Sequence, residues 1–448
     1  MRLNAHLLRS TIVGALGGLL FGFDTAVIAG TTGQLTQVFH LVSRLHLFIP
    51  NQGLTVAIAV WGAAIGAMTA GPLGQKIGGR EALRIMALLY LLSALGCALA
   101  WSWPSLLAFR LIGGLGIGGS SVLGPVYLAE LAPARLRGRL VGLFQINIVA
   151  GILLAYASNY VVASLVAGGH AWRWQFGVAA IPAFFFLVFL FGIPRSSRWL
   201  VTQNRIEEAR QVLELMGTPN SEAELKEIVD SIHVERSQRS EPLFRRKYRL
   251  PIFLAVTIGM FNQLSGINAI LYYANEIFRF GGFSNLSADK QAVLLGAMNF
   301  VATLLAMSVI DKLGRKKLLL IGSVGTAGAL AGVAAIFHTH SHQADLVWLL
   351  VGFIFFFSIS QGAVIWVYIS EVFPTRVRSK GQSLGSSSHW IMNALISGFF
   401  PWVAAHSAAT PFVFFSGMMV LQFFMVLTIY PETKGASLEQ LQQRLAID

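Results

Sequence analysis

Cysteine is almost missing from this chain: Cys97, inside an apolar run, is the one thiol among 448 residues. That excludes an internal disulfide framework and a thiolate zinc site, and leaves the thiol to packing. Charge is scarce too, at 12% of residues against 55% hydrophobic, and the mean hydropathy is +0.65. So few polar groups cannot coat a soluble globule of this length, which makes the bilayer the solvent. No Gly-Lys-Ser or Gly-Lys-Thr occurs, which excludes a Walker nucleotide site. Clustered carboxylates and facing metal ligands are also missing, so no enzyme, cofactor or metal is expected. A small-residue cleavage site does not follow the first apolar run, so that run is expected to be retained.

What is present is apolar length. Twelve stretches, near 10–33, 52–74, 83–102, 105–129, 140–166, 174–194, 251–278, 291–310, 317–338, 345–369, 382–405 and 411–430, are long enough to cross roughly 30 Å of hydrocarbon as helices. Runs such as Phe184 to Leu190 lack the two-residue alternation of a barrel strand. The net charge of +13 raises a nucleic-acid reading, which its placement answers. With both termini cytoplasmic, 28 of the 33 Lys and Arg fall on the cytoplasmic side, Arg44, Arg173, Arg279 and Lys290 fall outside, and Arg110 lies within the fourth span. This is the positive-inside bias of a multi-pass membrane protein, not a nucleic-acid face.

One charged signature occurs twice. Glu130-Leu-Ala-Pro133-Ala-Arg135-Leu-Arg137 follows one apolar run and Glu371-Val-Phe-Pro374-Thr-Arg376-Val-Arg378 another, 241 residues on; Gly78-Gly79-Arg80-Glu81 and Gly314-Arg315-Lys316-Lys317 repeat at 236. The expectation is a duplicated membrane protein: an N-terminal six-helix bundle over 1–194, a cytoplasmic linker over 195–249, a C-terminal six-helix bundle over 250–430 and a tail over 431–448. In the linker Leu225, Ile228, Val229 and Ile232 keep helical spacing behind a capping box of Ser221 and Glu224, and Ser437 with Gln440 suggests another short helix. Gly114-Leu-Gly116-Ile-Gly118-Gly119 fits a dinucleotide pattern, but inside an apolar span it predicts close helix packing.

Of the 20 acidic residues only Asp24 lies deep in a span, with Glu276 near the outer end of span seven. A carboxylate in hydrocarbon is costly unless protonated or paired, and Arg110 is its natural partner. Alternation between protonated Asp24 and ionised Asp24 against Arg110 would turn proton occupancy into conformation; a static ion pair is the alternative. Span seven carries Asn262-Gln263-Leu-Ser265-Gly266-Ile267-Asn268, then Tyr272, and its Ser-Gly step permits local unwinding. Carboxamides match vicinal hydroxyls without charge, so these residues, with Gln145, Asn299, Trp366 and Trp390, suit a sugar. Phe21, Phe357 and His389 complete the candidate lining. Each amide, taken singly, serves equally well as a helix-to-helix bond. His338, His340 and His342 read as a solvated loop.

Along nearly its whole length the chain resembles the sugar porters of the major facilitator superfamily. The likeness rests on Gly22-Phe23-Asp24-Thr25, Arg110 with the Glu130 to Arg137 motif, Gln263 to Tyr273, Asp311-Lys-Leu-Gly314-Arg315-Lys316, Trp366 to Arg378, and Pro431-Glu432-Thr433-Lys434-Gly435. It implies an all-α major facilitator fold of twelve helices in two pseudo-symmetric bundles, a monosaccharide site lined mostly by the C-terminal bundle, and rocker-switch access. It also implies that Glu130, Arg137, Asp311, Arg315, Glu371 and Arg378 form cytoplasmic salt-bridge clusters, and that Asp at the first-span position marks proton symport. The chain departs from the pattern at Pro194-Arg195-Ser196-Ser197-Arg198, which loses an acidic partner, at Gln75, and at Asn262, Ile152 and His389 within the site. Ala179 leaves Asp24 as the one candidate proton carrier.

The sequence therefore predicts a monomeric, multi-pass inner-membrane symporter of proton and hexose, glucose first, that binds no nucleic acid. A passive uniporter, a pentose or polyol carrier and a sugar-sensing receptor are the rivals.

Overall fold

A computed structural model describes residues 5–41, 45–46, 49–132, 137–166, 168–218, 220–237, 241–374 and 376–434, with the backbone alone at 45–46, 49, 137–139, 234–237 and 311. Arg137 and Asp311 of the candidate clusters thus have side chains outside the described set, as does the helix expected around Ser437. The first half contains α1 (Ala5–Val38), α2 (Asn51–Ile77), α3 (Gly79–Ala98), α4 (Trp103–Leu131), α5 (Arg137–Leu165), α6 (Ala171–Val178) and α7 (Ala180–Phe189). The linker folds as α8 (Ser197–Thr202), α9 (Ile206–Leu215) and α10 (Ser221–Ser237). The second half contains α11 (Arg249–Leu264), α12 (Ile267–Tyr272), α13 (Ala274–Phe280), α14 (Asn285–Leu313), α15 (Arg315–Thr339), α16 (Leu346–Phe357), α17 (Ala363–Glu371), α18 (Arg378–His406) and α19 (Thr410–Thr428).

Eleven helical segments among the described residues are long and apolar enough to cross a membrane. The twelfth expected span is α18, 29 residues long, diluted in hydropathy by Ser386, Ser387, Ser388, His389 and Asn393. The all-α architecture expected from the sequence is the one observed.

Both copies of the charged loop fold alike. Gly78 precedes α3 at φ 91° and Gly314 precedes α15 at φ 88°, a backbone region closed to residues with a Cβ. The glycine stripe of α4 packs helices, as expected: a side chain at Gly118 would strike the carbonyl of Ala63 in α2, and one at Gly119 the sulfur of Met86 in α3. Close approach replaces the hydrophobic effect as the glue between helices in lipid.

The contacts gather the described residues into two compact units. One takes Met1–Asp24, Gly62–Ile152 and Phe176–Arg239; the other takes Thr25–Trp61, Leu153–Gln175 and Ser240–Asp448. In the second unit the late parts of α1 and α5 and the start of α2 pack on the C-terminal half. Tyr156 donates to the Leu271 carbonyl at 2.6 Å, and Gly53 lies so close to the Gly398 carbonyl that no side chain fits. In the linker, Asn220 rather than Ser221 caps α10, accepting from the Ala223 amide at 3.1 Å.

Candidate functional site

In the first unit, α1 presents Asp24 and α4 presents Arg110, with Asp24 Oδ2 3.8 Å from Arg110 Nη1. The Arg110 side chain is 3% exposed and that of Asp24 15%. The guanidinium stands 5.7 Å from the Phe176 ring centre, an electrostatically favourable neighbour that carries no negative charge. Gly113, one turn beyond Arg110, leaves room: a Cβ there would collide with Ser93 Oγ and lie 3.8 Å from Asp24 Oδ2. Ser93 meets Cys97 Sγ at 4.0 Å, so the single thiol borders the acid's surroundings. Tyr90, bonded to Ser120 at 2.8 Å, belongs to the same buried polar neighbourhood. A pair this long is a charge contact, not a bidentate clamp.

In the second unit span seven is broken where the sequence predicts. α11 ends at Leu264, Ser265 Oγ turns back to the Asn262 carbonyl at 2.7 Å, and Gly266 sits at φ 82°. The break puts three amides in one row: Asn268 Nδ2 donates to Gln263 Oε1 at 3.0 Å, and Gln263 Nε2 donates to Asn262 Oδ1 at 3.0 Å. The same Gln263 nitrogen lies 3.2 Å from His389 Nδ1. The His389 ring is 5.1 Å from Trp366 and 5.4 Å, at 90°, from Trp390. Asn299 accepts from Ser358 at 2.9 Å, where a π-turn, Ser358–Gly362, widens span ten between α16 and α17; such turns cluster at functional sites.

Phe357 stacks on Phe353 at 6.2 Å. Phe21 and Gln145 belong to the other compact unit. The sequence reading missed Asn393 and Ser397: Asn393 donates to the Tyr272 hydroxyl at 3.2 Å and accepts from Ser397 at 3.0 Å. The signal was available, since 389, 393 and 397 recur every four residues on α18 and so share one face.

The charged clusters are only partly those expected. Glu371 meets Arg315 at 3.0 Å and accepts from Thr433 at 2.6 Å. Arg378 donates instead to the Phe373 carbonyl at 3.2 Å. Glu130 hydrogen-bonds Ser196, with Arg198 close by. Glu81, absent from the expected set, binds Arg80 and Arg84, each at 2.6 Å, and reaches Arg195 at 3.5 Å. Among the described residues no group of acidic, histidine and cysteine side chains could hold a metal ion.

Residues 10–445 match the family model described as Sugar (and other) transporter. The chain is 35% identical over 477 residues to the D-xylose-proton symporter of Escherichia coli strain K12, covering 98% of this chain and 96% of that one. It is 35% identical over 453 residues to the Glucose transport protein of Synechocystis sp., covering 96% and 95%. Among solved structures it is similar to the inward-open xylose transporter XylE from E. coli, with a TM-score of 0.87 at 33% identity over 98% of this chain and 99% of that one. A proton:xylose symporter structure bound to 6-bromo-6-deoxy-D-glucose gives a TM-score of 0.79 at 33% identity, covering 98% and 99%. The amide row, the intramembrane acid and the repeated charged loops sit on the fold those relatives share, and the chain belongs to the sugar porter family of the major facilitator superfamily.

Proposed function

We propose that this protein is a proton-coupled monosaccharide symporter, with hexose, glucose first, as its substrate. The observation that carries the reading is Asp24, an ionisable acid within a membrane span, 3.8 Å from Arg110. Ionised Asp24 is held by the guanidinium; protonated Asp24 is neutral and releases it, so proton occupancy biases the two conformations. The substrate is held by Asn262, Gln263, Asn268, Asn299 and His389, with Trp366 and Trp390 as apolar walls. Both hydroxyls and ring faces of a sugar are thereby matched. Relatives named as D-xylose-proton and arabinose-proton symporters and as glucose transporters support the sugar and the proton alike. They span pentoses and hexoses, so the choice of glucose rests on the amide row and is tested by competition among unlabelled monosaccharides.

The reading places both termini in the cytoplasm, the basic loops inside, and one monomer in the inner membrane. The six-helix halves, 1–194 and 250–430, rock about the linker, while Glu130, Arg137, Asp311, Arg315, Glu371 and Arg378 tie the cytoplasmic side. One proton crossing about 100 mV supplies roughly 2.3 kcal/mol, enough for roughly 50-fold accumulation. Asp24→Asn is expected to abolish accumulation of labelled sugar and to preserve exchange across the membrane. An Asp24→Asn carrier that concentrates sugar like the parent would overturn the coupling assignment.

A further inference from the structure

The row of amides continues into a segment whose charges the symport scheme leaves unused. α13 begins two residues after α12 ends, with Tyr273 between them. Its carboxylate, Glu276, is 7% exposed and accepts from Gln52 Nε2, at the start of α2, at 2.5 Å. The Thr32 hydroxyl of α1 is also within hydrogen-bond reach of it. Arg279, one turn on, stands 3.6 Å from the same carboxylate, and its guanidinium fills the space beside Gly33 so closely that a side chain there would collide with it. Asp289, an acid close to Arg279, accepts from Asn275. A buried carboxylate and its guanidinium thus seize the ends of two helices from the first half of the chain, all within one compact unit.

This pin is tied to the helix that carries His389. Tyr273 donates to the Ser397 carbonyl at 2.9 Å and stacks on Phe400 at 5.0 Å, while its neighbour Tyr272 receives Asn393. α13 therefore cannot shift without pulling on the α18 face that also carries His389. We propose that Glu276, with Arg279, is a positioning residue for transport: it latches α1 and α2 to span seven and holds the external gate shut. The word external rests on the orientation given under Proposed function; the latch itself does not.

Removing one partner from a buried hydrogen-bonded charge leaves the others unsatisfied, which is why a single substitution should be felt. Spin labels at Gln37→Cys and Asn285→Cys, both exposed sites, report the distance between the end of α1 and the start of α14; Cys97, 1% exposed, stays unlabelled. Purified full-length protein is measured without sugar or proton gradient, so a failure of the symport reading leaves this readout intact. Glu276→Gln and Arg279→Gln should each raise the ratio of long to short distances roughly tenfold, the change that about 1.4 kcal/mol brings. Gln52→Ala, the mildest change, should move it the same way by less. In uptake, Glu276→Gln should lower both the KM for external sugar and the turnover, because the outward-facing site is more available and closes more slowly. Unchanged distance distributions in Glu276→Gln and Arg279→Gln overturn the latch, and so does a lowered turnover at unchanged KM.

Discussion

At the scale of single residues, the proposed sugar site of the second unit includes a half-buried amide assigned to the ligand and a fully buried one already engaged with neighbours. Asn268 is half-buried and spends one amide donor on Gln263, leaving its remaining hydrogen-bonding capacity for a hydroxyl. Asn393 is 1% exposed and is engaged by both Tyr272 and Ser397. Asn268→Ala should therefore raise the KM for sugar roughly tenfold, a loss of about 1.4 kcal/mol, with little change in melting temperature. Asn393→Ala should do the reverse, costing about 1–3 kcal/mol of stability by leaving buried partners unsatisfied. Thermal melts and uptake kinetics on the two variants decide it; equal effects on both readouts would dissolve the distinction. Asn268 was legible because it lies beside a visible Ser-Gly break. Asn393 was not, because its partners lie 121 and 4 residues away and only the helical period of α18 connects it to His389.

At the scale of elements, breaks written in special residues could be read and breaks imposed by a neighbour could not. Span seven unwinds at Gly266, where φ is 82° and a Cβ would strike the Phe415 ring of α19. Gly266→Ala combines a left-handed backbone costing about 1–2 kcal/mol with that collision. The variant should lose several degrees of melting temperature and weaken sugar binding at Asn268 in step; a variant that melts like the parent would mean the break is not fixed by Gly266. Span ten's π-turn ends on Gly362, but that glycine keeps ordinary helical angles, φ −60° and ψ −40°, and so does not impose the break. Its π-turn fits α15 instead: Gly322 lies against Ser360 and Gly325 against the Phe356 ring, where any side chain would clash. The cause is the bare face of another helix, which no local pattern in 345–369 reveals. The α10 cap shifted by one residue for the ordinary reason that Asn accepts from an end amide as readily as Ser.

At the scale of the whole molecule, duplication was the most legible feature, because the two glycine loops survive as paired structures at Gly78 and Gly314. The pairing of charges within the copies was less legible: Glu371 turned to Arg315 and Thr433, and Arg378 to a carbonyl, since contact partners depend on which loops meet. One such meeting joins three distant stretches. Glu432, beyond the last span, accepts from the backbone N–H of Arg315 at 3.0 Å and of Lys316 at 3.1 Å, capping α15 where the helix dipole favours an anion. Lys434 Nζ meanwhile donates to the Lys312 carbonyl. Burial pushes the Glu432 carboxyl up, but the amides of Lys434, Arg315, Lys316 and Thr433 together outweigh it and hold the group below its ordinary value of 4.5. A depressed value means the cap's contribution is fully present above pH 4.5 and fades as pH falls through the folded-state value. Glu432→Gln should therefore be less stable than the parent by about 0.5–1 kcal/mol at neutral pH, the size of a half-exposed cap. The gap should narrow below pH 4.5 as the parent's own carboxylate takes up its proton. Melting curves of parent and variant in detergent across that range test this, and a gap that stays constant or widens in acid would show that the charge of Glu432 is not what holds the end of α15.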